Sequence, residues 1–432
     1  AIASARTGAK TLIVERHHWL GGHMTAGVDV WPYAPGDTKR IVAGSIAKEI
    51  IERLRKNQAV LGDPVNDFEI LIDGEQMKYE LDLLMNENSV EVLYDCWFAD
   101  VIKEKQELKG VIVETKSGRR AILSKVVVDT TGDADVAARA GAPFFMEPRD
   151  QIMPVSVCAR ILNVDVEKLE KDNPQEKVFP GAMKGFTHPG IRSWKPLERI
   201  LRNEKKNGNL EPKYEYLMNW FFFLGGTARL YDGEMILIMT GEKEVYGTEV
   251  DDISRALPIS RRRVQEALQC LKKYVPAFKN AYLGQTGVLG VRETRRITGD
   301  YVLTMDDVLS CRPFVDVVAR GSAPPGPHTG DGSTIEDPPH ILPPKSFEVP
   351  LRALIPQKVE NIVVAGRCIS CDHNTTGSIR VMGACFATGQ AAGVIAAVAS
   401  MKGVKPRNID ARDAQAVLAK QGVDLSRIWE KN

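Results

Sequence analysis

Along this chain the apolar residues fall into two patterns, short continuous runs and stripes of helical period, and the two alternate near both ends. Small helix formers fill Ala1 to Thr7, Gly8 is placed to end that helix in a left-handed cap, and Thr11-Leu12-Ile13-Val14-Glu15 reads as a buried parallel strand. After Gly44 the positions Ile46, Ile50 and Leu54 make the stripe of an amphipathic helix, and a second helix is expected over Met77 to Met85. Val90 to Tyr94, Ala99 to Lys103, Gly110 to Glu114 and Ala121 to Asp129 read as short strands, with turns at Lys109-Gly110 and Ser117-Gly118. Val126-Val127-Val128 is expected to be fully buried, and a helical run follows it to Ala140.

From Asp150 to about Leu283 the pattern changes. Polar stretches lengthen, Trp220-Phe221-Phe222-Phe223 forms an aromatic cluster, and a helix is expected from Ser260 with Val264, Leu268 and Leu271 inward. Gly321 to Pro344 is dense in Pro, Gly and Asp and reads as a long loop, of the kind that is usually functional or disordered. Ile362-Val363-Val364-Ala365 returns to the first core. Ala384 to Met401 carries no charge, but it is mostly Ala and Gly and includes Thr388 and Gln390, so it reads as a buried helix rather than a membrane span. The expected organisation is a nucleotide-binding domain in two parts, 1–150 and 284–405, around a substrate or cap domain at 151–283, with a helical tail at 406–432.

Composition narrows the function classes. The 57 basic and 56 acidic side chains nearly cancel, leaving no global field to draw nucleic acid or an anionic membrane surface. Arg261-Arg262-Arg263 and Lys205-Lys206 stand on polar helical stretches with acids nearby and read as solvated helix faces. Seven scattered cysteines, an odd count, point to reduced thiols and a cytoplasmic setting. Small molecules are the expected partners, with homo-oligomers allowed.

Candidate chemistry gathers at the ends of the buried runs. In dinucleotide-binding βαβ units an acidic residue ends the second strand about 20 residues after a glycine fingerprint and accepts hydrogen bonds from ribose hydroxyls. Glu15 stands at such a strand end, so the fingerprint is expected to precede residue 1. At the second strand end, Asp129-Thr130-Thr131-Gly132-Asp133-Ala134-Asp135, the glycine lets backbone approach a ligand, while Asp133 and Asp135 read equally well as helix caps. Ile362 to Gly393 combines a strand, Gly366-Arg367, a loop with Asp372 and His373, and a Gly/Ala helix whose free amides suit negative charge. Gly389 and Gly393 would let that helix pack closely. Cys368-Ile369-Ser370-Cys371 reads as two buried small residues, with thiol-disulfide exchange as the alternative, and no second pair completes a zinc site, so no metal is expected.

Four segments, in order, carry a resemblance. Glu15 with Gly21-Gly22, the segment from Asp129 to Asp135, Gly290-Val291-Arg292-Glu293-Thr294-Arg295-Arg296, and Gly366-Arg367-Cys368-Ile369-Ser370 with Gly377-Ser378-Ile379-Arg380-Val381-Met382 resemble the FAD-dependent oxidoreductase family of the glutathione-reductase structural class. The resemblance covers nearly the whole chain and is least clear over 150–280. It implies an α/β fold: a Rossmann-like FAD-binding domain, with a parallel sheet, helices and a small antiparallel sheet, plus a mixed α+β substrate domain. It also implies an extended FAD, with Glu15 and Arg16 at the adenosine ribose and Gly21, Gly22, Thr131, Gly132 and Asp133 along the dinucleotide. Gly366, Arg367, Asp372, Gly377, Ser378, Arg380, Val381 and Met382 would surround the ribityl and isoalloxazine end. Two positions depart from the pattern: Arg367 stands where many relatives have aspartate, and Thr376 where histidine is expected.

The expected activity is hydride transfer between a small organic substrate and flavin N5. His328 and His373 are candidates for the accompanying proton, and Arg292 and Arg296 for clamping a carboxylate, although pairing with Glu293 is the commoner fate of such an arginine. Alternation would put Arg292 and Arg296 on one face and Arg295 on the other. His23 is similar to positions where some flavoproteins attach FAD covalently. The alternatives are a flavin-linked thiol-disulfide reductase using Cys368 and Cys371, and a nucleotide-binding subunit without catalysis.

Overall fold

The computed structural model describes residues 1–26, 30–32, 41–61, 69–172, 196–219, 221–222, 233–239, 241–326 and 345–427. Its first core is built on two parallel strand pairs. Leu12–Val14 runs beside Glu91–Leu93, and Val127–Asp129 beside Ile362–Val364, so the latter pair joins segments more than two hundred residues apart. An antiparallel meander of Cys96–Glu104, Glu107–Thr115 and Gly118–Leu123 lies in the same half of the chain. The helices Ile2–Arg6, Ser45–Lys56, Gly74–Glu87, Met382–Lys402 and Ala411–Lys420 contribute to one continuous cluster that includes Ile46, Ile50, Leu54, Leu84, Val363, Val394 and Ile395. The stripe at Ile46, Ile50 and Leu54 faces inward as its spacing requires.

Met382–Lys402 is long and apolar enough to cross a membrane, yet most of it is buried inside the protein as the central core helix. A Cβ at Gly393 would lie 3.2 Å from the Cβ of Ala3, so this glycine sets the approach of the first helix; Gly389 has nothing within 4 Å and plays no such part. Ile395 on this helix is fully buried. Ile395→Val is expected to lower unfolding free energy by about 0.5–1.5 kcal/mol, read as a drop in the urea midpoint at constant slope.

Three local expectations are corrected. Leu12 is 36% exposed and Val127 and Val128 are only half-buried, because each strand has one paired neighbour among the described residues and is not covered on both faces. Lys109-Gly110 is not a turn but lies inside Glu107–Thr115, and the reversal falls after Glu104, where Lys105 takes a φ of 54°. Gly110 is required there for another reason: a Cβ would lie 2.1 Å from the carbonyl oxygen of Ile122 on the neighbouring strand. The helix expected from Ser260 begins at Val250, with Asp251 and Asp252 in its first turn complementing the dipole and Pro258 carried inside it.

That helix, Val250–Tyr274, packs on an antiparallel sheet whose strand order is Phe221–Phe222, Met235–Met239, Ser156–Leu162, Tyr282–Gly290. Val264, Leu268 and Leu271 point into a second core with Val157, Ala159, Leu237 and Phe278. The boundary expected at 283 falls within Tyr282–Gly290, so the chain leaves this middle region after Gly290. Two crossings therefore connect the cores, one over residues 146–155 and one over 291–296. Trp220, Phe223 and residues 327–344, including His328, lie outside the described residues.

Candidate functional site

The first wall of the site is the carboxyl end of the strand Val127–Asp129. The buried Asp129 carboxylate accepts from Thr131 N at 3.1 Å, Thr131 Oγ1 at 2.7 Å and Ala137 N at 2.9 Å, which folds the segment into a tight turn. Burial pushes the Asp129 carboxyl up, against the pull of these donors. Gly132 takes a φ of 81°, a conformation that glycine adopts without penalty. The helix Asp135–Ala140 is served from behind by Asp129 and by Thr131 Oγ1, which accepts from Asp135 N at 3.0 Å. Asp133 and Asp135 make no cap hydrogen bond, so the capping reading is corrected, while Asp135 does stand in the first turn of the helix, where its charge complements the dipole.

Freed from capping, the two aspartates bind the other segments. Asp133 Oδ1 pairs with the Arg367 guanidinium and accepts from Thr294 Oγ1 at 2.6 Å; Arg295 pairs with Asp135 and donates from Nε to the Asp133 carbonyl at 2.8 Å. Segments 129–135, 291–296 and 366–373 thus converge at one strand edge. Arg367 lies against the turn, such that a Cβ on Gly132 would sit 3.1 Å from its Cζ, and its buried Nε finds no hydrogen-bond partner among the described residues.

A second cluster sits where the two crossings meet. Arg296, almost fully buried, donates to Glu293 through Nη1, to Glu147 Oε1 through Nη2 at 2.6 Å and to the Cys371 carbonyl through Nε at 3.3 Å. The side chain of Glu293 is fully enclosed; its Oε2 accepts from Met153 N at 3.2 Å and its Oε1 lies 2.8 Å from His373 Nδ1. His373 Nδ1 also lies 3.7 Å from Glu147 Oε1, and 25% of its side chain remains exposed. Burial depresses the imidazole, but the hydrogen bond and charge of Glu293, with the charge of Glu147, outweigh it and hold the group above the usual histidine range. Ligand atoms of Glu147, Glu293 and His373 come within 4.8 Å of one another, but the Arg296 guanidinium bonds to both carboxylates and serves as their cation.

Arg292 does not share the fate of Arg296. Its Nη1 donates to the Pro154 carbonyl at 2.7 Å and its charge is felt by His23. The alternation expected over 292–296 does not form, because regular pairing stops at Gly290 and resumes only at Arg296–Ile297. His23 lies over Gly290, where a Cβ would be 3.0 Å from its ring. Its imidazole is open to solvent on one side; desolvation by the protein around it first, then Arg292 and Arg367, push it down to about 4. Gly21 and Gly22 precede it with φ of 103° and 58°.

The remaining positions separate into lining and scaffold. Glu15 Oε1 accepts from His17 N at 2.9 Å, and burial raises its carboxyl. Arg16 lies over the Trp97 ring, 5.9 Å from its centroid, and its charge reaches Asp135, which brings this strand end to the same edge. Gly366 has a φ of 83°, where a Cβ would lie in ordinary contact with Cys385 Sγ at 3.8 Å, and Val381 begins the long helix without a side-chain cap, leaving first-turn amides at Met382. Asp372 is committed to scaffold, accepting from Thr375 N at 2.7 Å and Met305 N at 3.1 Å. Gly377 is pressed against backbone, where a Cβ would lie 2.2 Å from the Gly326 carbonyl oxygen, and Ser378 is fully buried. Arg380 is half-buried, close enough for its charge to reach Cys385.

Cys368 and Cys371 are free and fully buried; burial pushes Cys371 up to about 12 and Cys368 well above its ordinary value. Exchange with a disulfide needs an accessible thiolate, and neither sulfur can supply one. Cys368→Ala and Cys371→Ala are each expected to leave the turnover rate of the protein unchanged within about twofold, because neither thiol reaches solvent. Glu147 had no sequence signal: it stands in a polar stretch, and only the meeting of the crossings brings it to His373.

An FAD fits this set of residues. Gly132 and Gly366 offer backbone at two parallel strand ends, Glu15 offers a carboxylate at a third, the long helix offers uncapped amides, and Arg367 Nε is a buried donor without a hydrogen-bond partner among the described residues. Residues 1–418 match the family described as FAD dependent oxidoreductase. Among curated proteins none matches the chain. Solved structures similar to it include a geranylgeranyl bacteriochlorophyll reductase-like protein from Thermoplasma acidophilum, at 13% identity and a TM-score of 0.46 over 98% of this chain and 78% of that one. A p-nitrophenol 4-monooxygenase from Pseudomonas putida gives 9%, 0.43, 100% and 87% for the same quantities. A flavin-dependent brominase gives 14%, 0.44, 97% and 79%.

Proposed function

Because the chain belongs to the FAD dependent oxidoreductase family and has FAD as its cofactor, we propose that it moves a hydride between a small organic substrate and the flavin, with His373 handling the accompanying proton. When bound, FAD supplies the two-electron acceptor or donor. Glu15 would hold the ribose end, Gly132 and Arg367 the middle, and Gly366, Val381 and Met382 the ring end. The observation that carries the proton role is the 2.8 Å contact between His373 Nδ1 and the enclosed Glu293, on the segment that carries Gly366 and Met382, with the ring still partly exposed.

Glu293 orients the imidazole by accepting at Nδ1, which leaves Nε2 to exchange a proton with substrate. Arg296 holds the Glu293 carboxylate in place. Arg292 and His23, on the open side, are suited to orienting substrate. The middle sheet and its helix supply the enclosure. The near balance of charge and the scattered cysteines support small-molecule substrates, a cytoplasmic setting and no nucleic-acid or membrane partner. The test is an anaerobic titration of the FAD-loaded protein with alcohols, amines and unsaturated acids, followed in the visible flavin band. Bleaching by one class identifies it as substrate. If FAD does not bind, or bound flavin answers neither these compounds nor a chemical reductant, the reading fails.

A further inference from the structure

Glu147 lies outside the four segments that carry the family resemblance, yet it occupies a particular place among the charges. It stands on the outbound crossing, Glu293 and Arg296 on the return crossing, and His373 on the segment that closes the site. The same crossing is bolted to the middle region: the Glu147 carbonyl accepts from Tyr246 Oη at 3.1 Å, and Arg149 Nη1 reaches Asp252 Oδ2 at 2.6 Å and the Glu244 carbonyl at 2.9 Å. We propose that Glu147 is a positioning residue, which holds the Arg296 guanidinium against Glu293 and, as a second carboxylate facing His373 Nδ1, keeps the proton on that imidazole.

The charge count gives the reason. Glu147, Glu293 and Arg296 together carry one net negative charge, which a protonated His373 neutralises, whereas a neutral His373 leaves it uncompensated in a mostly enclosed space. Those three are the charged groups that face the imidazole from the crossings, and Asp372 and Cys371 adjoin it on its own segment. Asp372 is taken up by the Thr375 and Met305 amides and Cys371 is neutral, so neither replaces Glu147. Because the Glu147 backbone is fixed to Tyr246, the spacing of this second carboxylate from His373 depends on where the middle region sits. The proposal rests on the reading of His373 as the proton-handling group, but it is tested without turnover.

The experiment is a histidine-selective NMR titration of the full chain loaded with FAD, comparing wild type with Glu147→Gln. Glutamine keeps an acceptor for Arg296 and removes the charge, so the His373 midpoint is expected to fall by about one unit, with flavin content unchanged. An unmoved midpoint overturns the proposal. Should the glutamine variant not fold, Glu147→Asp withdraws the carboxylate by one methylene, and a midpoint equal to wild type overturns it equally. The two readings fail separately. Unchanged bleaching in a His373→Asn protein removes the proton role and leaves the Glu147 result standing, whereas an unmoved midpoint removes only Glu147.

Discussion

Replacing His373 by asparagine is expected to slow substrate-driven flavin bleaching by about 10²–10⁴-fold, the usual contribution of a positioned general base, with FAD binding retained. Asparagine can still donate to Glu293, so the packing around the enclosed carboxylate survives while the titrating nitrogen is lost. The pH dependence separates this from a structural effect. His373 is held above the usual histidine range by Glu293 and Glu147, so in the direction of substrate oxidation the wild-type rate rises with pH through that raised value, as neutral imidazole becomes available. In the variant that limb disappears. The same shift links His373 to stability: its contribution is complete below the ordinary histidine value and is lost as pH rises through the raised folded value. Stopped-flow bleaching from pH 5 to 9 checks the first claim. A variant rate within about threefold of wild type, with the limb intact, would sink the assignment.

Arg296→Met is expected to cost about 3–5 kcal/mol of unfolding free energy, the range for breaking a buried ion pair by removing one partner. Arg296 is 2% exposed, and it donates to Glu293, whose side chain is fully enclosed, and to Glu147. Methionine fills part of the volume but leaves two carboxylates facing each other in a mostly enclosed space, with His373 beside them. Urea unfolding of the variant beside wild type measures the loss. A deficit below about 1 kcal/mol would mean that the cluster is solvated and not a buried network.

Local pattern carried much of the fold. The stripe at Ile46, Ile50 and Leu54, the apolar runs at 127–128 and 362–364, and the inward Val264, Leu268 and Leu271 were readable because burial imposes period 3.6 on helices and continuous runs on paired parallel strands. Gly110 shows where such reading stops. A Lys-Gly pair between two apolar runs has the local signal of a turn, while the actual cause of the glycine is the Ile122 carbonyl on the next strand, which no residue near it in sequence announces. Asp133 misleads in the same way: its spacing suits a helix cap, but Asp129 and Thr131 already satisfy that end, so its carboxylate turns to Arg367 and Thr294.

By itself, then, the sequence determined the family and the cofactor, because the strand ends and glycine turns that carry the resemblance are written in short contiguous stretches such as Asp129 to Asp135 and Gly366 to Met382. It also placed Arg296 within reach of Glu293, three residues away. What only the tertiary structure decided is which of the candidate charges share one enclosure. Glu147 and His373 are 226 residues apart and Glu147 and Arg296 149 apart. Their meeting depends on two crossings between two cores, and long-range electrostatics is set by that geometry and by the water it excludes, neither of which leaves a period in the chain.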